Sequence, residues 1–157
     1  MGKKTGPNPT DRAKKGTKRS LLTEGHGLPI GLAVSAANTH DKRLVEETLN
    51  NMPLDPPSTD EVPQHMCLDK GYDYEDVRQT LIECGYEPHI VARGEERERK
   101  AKTPRYRARR WVCERTHSWM NRFRRILIRW EKKAANYEAL LHLACAYICY
   151  SAAGVLG

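Results

Sequence analysis

Apolar and polar positions alternate with two different periods along this chain, and the changes of period divide it into short strands and helices. "KRSLLTE" and "LPIGLAVSA", between Lys18 and Ala36, flank "GHG" and predict a hairpin whose glycines form the turn. "THDKRLVEETLNN" predicts an amphipathic helix opened by Thr39 or Asp41, with Leu44, Val45 and Leu49 on its apolar side. The proline-rich "MPLDPPSTDEVP" ends that helix and forms a surface connection. A brief apolar run, Met66 to Leu68, then stops at Asp69. "DYEDVRQTLIECGYEP" follows with Val77, Leu81 and Ile82 at helical spacing and a stop signal at Gly85, and "PHIVA" is a further strand. The order is strand, acidic turn, helix, strand.

Farther along, Val112, Trp119, Phe123, Ile126 and Trp130 fall on one stripe of a helix over Trp111 to Trp130. At about 100° per residue, Glu114 then lies opposite Phe123, with Ser118, Asn121 and Arg125 beneath it on the polar side. The last helix, about Ala134 to Ser151, is apolar on nearly all sides. Glu138 and His142 interrupt it, so the pattern predicts a buried core helix rather than a membrane span. Alternating strands and helices make the chain α/β. Its 157 residues suit one domain with one core.

Charge sharpens this picture. Lys plus Arg number 27 against 20 Asp plus Glu, a formal charge of +7, which favours a polyanionic partner, nucleic acid above all. Residues 1–17 are rich in Lys, Gly, Pro and Thr without periodicity and predict a basic, flexible arm rather than a folded element. They lack the apolar segment of a signal peptide. Arg93 to Arg110 is almost wholly charged and fits a mobile loop or a fraying helix start near a phosphate backbone, or else a solvated linker. The 5 cysteines show no CxxC pair, so reduced structural thiols and a cytoplasmic location are expected. Cys145 and Cys149, one helical turn apart, fit packing better than a zinc site.

Two acids stand out against this basic background. Asp69 closes a strand, where α/β folds gather ligands, and Glu114 sits among arginines and tryptophans. Phosphodiester cleavage by paired Mg²⁺ ions requires converging carboxylates surrounded by cations that hold phosphates. Taken singly, each acid also has a plain structural reading: Asp69 as a helix cap, and Glu114 as a complement to the helix dipole or an ion-pair partner of Arg110 or Arg115.

Three blocks resolve the ambiguity: "GPNPTDRAKKGTKRSLLTEGHGLPIGLAVSAANTHD", "LDKGYDYEDVRQTLIECGYEPHI" and "RRWVCERTHSWMNRFRRILIRWE". In this order they closely resemble successive blocks of bacterial DDE transposases, the insertion-sequence families numbered four and five. The resemblance implies an RNase H-like fold over residues 18–157, N-terminally truncated and with C-terminal helices. It also implies two Mg²⁺ ions, with Mn²⁺ as a substitute, held by Asp, Asp and Glu. These ions would serve hydrolysis at transposon ends and strand transfer into target DNA. Asp69 matches the family's second Asp and Glu114 its Glu. Arg110 matches the basic position four residues before that Glu, whereas the expected tyrosine is displaced to Tyr106 and the expected later cation is Asn121, with Arg122 beside it.

The family's first Asp ends a strand upstream of the "GPNP" block, and Asp11 is not its equivalent. Unpaired buried backbone groups cost about 1–3 kcal/mol each, set against a domain's margin of roughly 5–15 kcal/mol. The chain alone is therefore expected to be marginally folded and catalytically silent, whether as a decayed remnant, through a misplaced start or as a frameshift product. DNA is the expected partner, contacted by Lys15, Lys18, Arg19, Lys70, Arg107, Arg110, Arg122 and Arg125, with no membrane involved. Assembly as a homo-oligomer on paired ends, or with an upstream transposase segment, is expected as well. His117, and His40 with Asp41, are further candidates near the site, and Trp119 and Phe123 are expected in the core. The alternative is a DNA-binding remnant without catalysis, and a basic RNA-binding protein would explain the charge but not the two acids.

Overall fold

A computed structural model describes residues 3–58, 62–90 and 111–154. The chain is mixed α/β and divides into two compact units, Met1–Pro53 with Val112–Gly157, and Leu54–Trp111.

The first unit is organised by the hairpin of β2 (Lys15–Thr23) and β3 (Pro29–Ala36), paired antiparallel with Ser20 opposite Ala33 and Leu22 opposite Gly31. Its turn is held by Glu24, whose carboxylate accepts from the backbone N–H groups of His26 (2.8 Å) and Leu28 (2.9 Å). Gly27 adopts a φ of 89°, which only glycine takes without strain. β3 is apolar almost throughout because both faces of the hairpin are covered. On one face Leu32 and Val34 pack with Met120, Ile126, Tyr137, Leu141, Ala144 and Ile148. On the other, α1 (Val45–Asn50) comes so close that a Cβ on Gly31 would lie 2.7 Å from the Thr48 carbonyl oxygen. Thr48 donates to Ser20 Oγ (2.8 Å), and Asn51 Nδ2 donates to the Leu32 carbonyl (2.9 Å).

α1 follows a 3₁₀ turn, Asp41–Leu44, whose cap is His40 rather than Thr39 or Asp41; its Nδ1 accepts from Lys42 N at 3.4 Å. Leu44, Val45 and Leu49 are buried as their spacing predicts. The expected arm departs from its sequence reading. Gly6–Pro7 forms β1, pairing with Gly16 and Lys15, and Gly6 is buried. Arg129 ties down the preceding residues by donating to the carbonyls of Lys3 (2.9 Å) and Lys4 (3.1 Å) and to Thr17 Oγ1 (2.9 Å).

The predicted helix over Trp111–Trp130 is two helices, α3 (Trp111–Met120) and α4 (Arg124–Leu127). Arg122 N and Phe123 N bond back three residues, to Trp119 and Met120, and Phe123 is extended. That bend carries Ile126 into the core, where its carbonyl accepts from Tyr137 Oη (3.1 Å). Trp130 lies beyond the bend and is 68% exposed, contrary to its place on the predicted stripe. α5 (Ala134–Ala152) has the expected span but buries only the stripe of Tyr137, Leu141, Ala144 and Ile148. Leu143, Tyr147 and Tyr150 on its other side remain exposed. Cys145 packs against the core, and burial together with Cys149 pushes its thiol up to about 11. All cysteines are free. No helix among the described residues is long and apolar enough to cross a membrane.

The second unit is a parallel pair, β4 (Gln64–Leu68) and β5 (Tyr86–Ile90), joined through α2 (Glu75–Glu83). Met66, Tyr86 and Ile90 face inward with Val77 and Leu81 of α2, whereas Ile82, expected on the same side, is exposed. Gly85, with a φ of 81°, stops α2 as predicted. Val91 and Ala92 of the predicted strand, and the charged run Arg93 to Arg110, lie outside the described residues.

Two outcomes test this layering by thermal unfolding. Gly31→Ala drives a Cβ into backbone and is expected to destabilise by about 1–3 kcal/mol, whereas Gly25→Ala, which meets nothing within 4 Å, stays within about 0.5 kcal/mol. Leu141→Ala empties a fully buried position and costs about 2–5 kcal/mol, while Leu143→Ala, at a site 67% exposed, is nearly neutral.

Candidate active site

Asp69 follows directly on the last residue of β4. Its backbone is still extended, and its Oδ1 accepts from Lys70 N at 2.7 Å, capping the 3₁₀ turn Lys70–Tyr72. Tyr72 N closes the turn on the Asp69 carbonyl at 2.9 Å. The capping reading of Asp69 is thus fulfilled, yet its carboxylate is exposed at the carboxyl end of a parallel strand, where open α/β sheets collect ligands. Arg78 Nη2 on Asp73 Oδ1 (2.6 Å) secures the chain between this turn and α2.

Glu114 is set by the opposite face of its helix. Val112, Thr116 and Met120 are buried at four-residue intervals, and Thr116 Oγ1 donates to the carbonyls of Gly27 (2.5 Å) and Val112 (3.1 Å). α3 is thereby fastened to the hairpin turn, with Glu114 in its exposed first turn. Glu114 makes no hydrogen bond or ion pair with another described residue. The neighbouring Arg115 donates to the His26 carbonyl, and its guanidinium lies 5.0 Å from the centre of the Trp119 ring. Of the residues expected beneath Glu114, only Ser118 lies on α3. Asn121 is in the bend and accepts from Arg19 Nη2 at 3.2 Å, and Arg125 belongs to α4.

The expected DNA-contacting cations fall into distinct groups. Lys15, Lys70 and Arg122 are exposed. Lys18 is engaged by Asp41 Oδ1 (2.9 Å) and the Thr39 carbonyl (2.8 Å), Arg19 by Asn121, and Arg125 by Glu131 (2.6 Å), an acid only 7% exposed. Arg107 and Arg110 lie outside the described residues, as does Tyr106. Asp41 is committed to Lys18, and His40 to its cap. His117 is largely buried; burial and then the Arg19 charge hold its pKa below the usual value, favouring the neutral ring. Trp119 and Phe123 pack against the core, as expected.

Arg129 escaped the sequence reading. Its only signal is a lone cation inside the apolar "ILIRW", which buries a guanidinium among carbonyls and against the Tyr137 ring at 5.7 Å. Also missed was the outward row His65, Glu87 and His89, whose meeting depends on a strand register that spacing does not display.

Asp69 belongs to the second unit and Glu114 to the first. Each is an exposed carboxylate carried at the end of a regular element, and hard oxygen donors of this kind suit Mg²⁺, which keeps several waters and takes one or two carboxylates.

The chain matches the transposase DDE domain over residues 2–149. It is 38% identical over 154 residues to a protein ascribed as the transposase for insertion sequence element IS402 of Burkholderia cepacia, an alignment covering 94% of this chain and 69% of that one. No solved structure matches. With the matched region embracing both acids and nearly the whole chain, this protein belongs to the DDE transposase domain family.

Proposed function

We propose that the chain is the catalytic portion of a DNA transposase, with an RNase H-like arrangement in which Asp69 and Glu114 hold the same pair of divalent ions. The observation that carries this reading is Asp69 at the carboxyl end of a parallel strand, inside a family match that also spans Glu114. We do not assign the third carboxylate to Asp11, whose carbonyl accepts from Lys14 N (2.9 Å) in a turn and whose side chain pairs with Lys14 (3.6 Å). The reading expects that carboxylate from a strand preceding the "GPNP" block.

Mg²⁺, or Mn²⁺ in its place, would activate water and offset the charge that develops on the phosphate. The chain's own contribution is to fix two carboxylates through an end-of-strand turn and a helix anchored by Thr116. It also presents Lys15, Lys70 and Arg122 to phosphate oxygens, contacts that position DNA without reading its sequence. Lys18, Arg19 and Arg125 are held by internal partners and would reach phosphate with their remaining N–H donors or by exchanging those partners. Neutral His117 would serve as a hydrogen-bonding group rather than a cation. Synapsis of two transposon ends supplies the reason for a homo-oligomer or a complementing upstream segment.

The second reading, DNA binding without cleavage, is favoured by the +7 charge alone. End cleavage separates the two. Extended by the upstream strand and given Mg²⁺ and duplex DNA carrying the element's ends, the protein is expected to nick at the ends. Asp69→Ala and Glu114→Ala should each lose more than about 100-fold, beyond the 10- to 100-fold typical of residues that merely orient a ligand. Activity equal to the parent's in both variants would refute the assignment, and salt-dependent binding with no cleavage would establish the second reading. Arg122→Ala is expected to lower the log–log salt slope of DNA binding by about 1 without moving the thermal midpoint.

A further inference from the structure

In the second unit the parallel register sets His65 opposite Glu87 and Cys67 opposite His89. Strand alternation turns Met66, Tyr86 and Ile90 inward and leaves His65, Cys67, Glu87 and His89 exposed on the other face. There the side chains converge: His65 Nδ1 lies 2.9 Å from His89 Nε2 and 3.1 Å from Glu87 Oε2, and His89 Nε2 lies 3.9 Å from Glu87 Oε1. One ligand atom from each residue fits within 4.8 Å of the others. We propose that His65, Glu87 and His89 form a binding site for a divalent transition-metal ion of the zinc type, which clips β4 to β5.

The geometry is near what such an ion requires. A tetrahedral ion with bonds of about 2.0–2.1 Å separates its donors by about 3.3–3.4 Å. The two ring nitrogens (2.9 Å) and the His65 nitrogen with Glu87 Oε2 (3.1 Å) lie close to that value, while the contact of His89 at 3.9 Å is to the other carboxylate oxygen, Oε1. Rotation of the Glu87 carboxylate and the two rings on an open sheet face would bring one oxygen and both nitrogens onto one ion. The imidazole centroids are 5.0 Å apart with planes tilted by 50°, so both nitrogens can turn toward one point. Without an ion, one of two facing nitrogens must carry the proton; a cation draws a lone pair from each. Two imidazoles with one carboxylate select zinc-like ions over Mg²⁺, which takes oxygen donors, and leave the fourth position to water.

This site is separate from the carboxylates of the proposed cleavage chemistry. His65 precedes Asp69 by four positions, about 13 Å along a strand at ~3.3 Å per residue, too far for one ion to bond both. Its effect is mechanical: a two-stranded pair is marginal by itself, and an ion bound only by the folded pair holds in place the strand that ends at Asp69.

The test uses the full 157-residue chain, stripped of metal by a chelator, then titrated with Zn²⁺ against a chromophoric chelator and separately with Co²⁺. One equivalent is expected to bind with a tetrahedral Co²⁺ absorption spectrum, and Zn²⁺ is expected to raise the thermal midpoint. His65→Ala and His89→Ala should each weaken binding at least about tenfold. His142→Ala, an exposed histidine on α5, should bind as the parent does. An octahedral Co²⁺ spectrum or none, unchanged affinity in His65→Ala and His89→Ala, or equal loss in His142→Ala would overturn the proposal. The parent's Co²⁺ spectrum decides the matter even if a variant fails to fold.

Discussion

The first unit rests on one constraint: a two-stranded hairpin has two faces, and both must be kept from water. α5 covers the face carrying Leu32 and Val34, while α1 covers the face carrying Gly31, with Thr48 closing on Ser20. Everything that positions Glu114 follows from this hairpin. Its turn needs Gly27, the Gly27 carbonyl takes the hydroxyl of Thr116, and Thr116 fixes the rotation of α3 so that Glu114 faces outward. Arg129 performs a parallel service for the amino-terminal residues, converting a stretch with no periodicity into one anchored by carbonyl contacts.

The second unit works on a different principle. Its strands are parallel, so a helix must carry the chain back between them, and that helix shields one sheet face. Asp69 is placed by the end of this arrangement rather than by its middle: the strand stops, the carboxylate caps the following turn, and the side chain stays in solvent. A capping residue and a ligand for metal are compatible roles here, because a carboxylate has two oxygens and several lone pairs.

Much of this was legible in the sequence, and the failures have definite causes. The hairpin, the helix after "THD", Asp69 at a strand end and the span of the last helix follow from period and punctuation, which are local properties. The end of α3 at Met120 does not, because no glycine or proline marks it; the break is imposed by the burial of Ile126 beside Tyr137. β1 was illegible because two residues have no periodicity and pair only through Gly16 and Lys15. α5 reads as apolar all round, yet burial depends on which neighbours exist, and only one stripe of it has them. Strand register is equally invisible, so His65, Glu87 and His89 looked like unrelated polar residues. The pairing of Asp69 with Glu114 came from resemblance, since no spacing rule links acids 45 positions apart.

The central claim is that these two acids serve the same ions. Mn²⁺ affinity measured across a double-mutant cycle tests it most directly, using Asp69→Asn, Glu114→Gln and the combination in a chain with His65 and His89 replaced by alanine. If the acids share ions, the double variant binds little more weakly than either single one, a strong coupling. Losses that simply add, or single variants that bind as the parent does, would contradict the account.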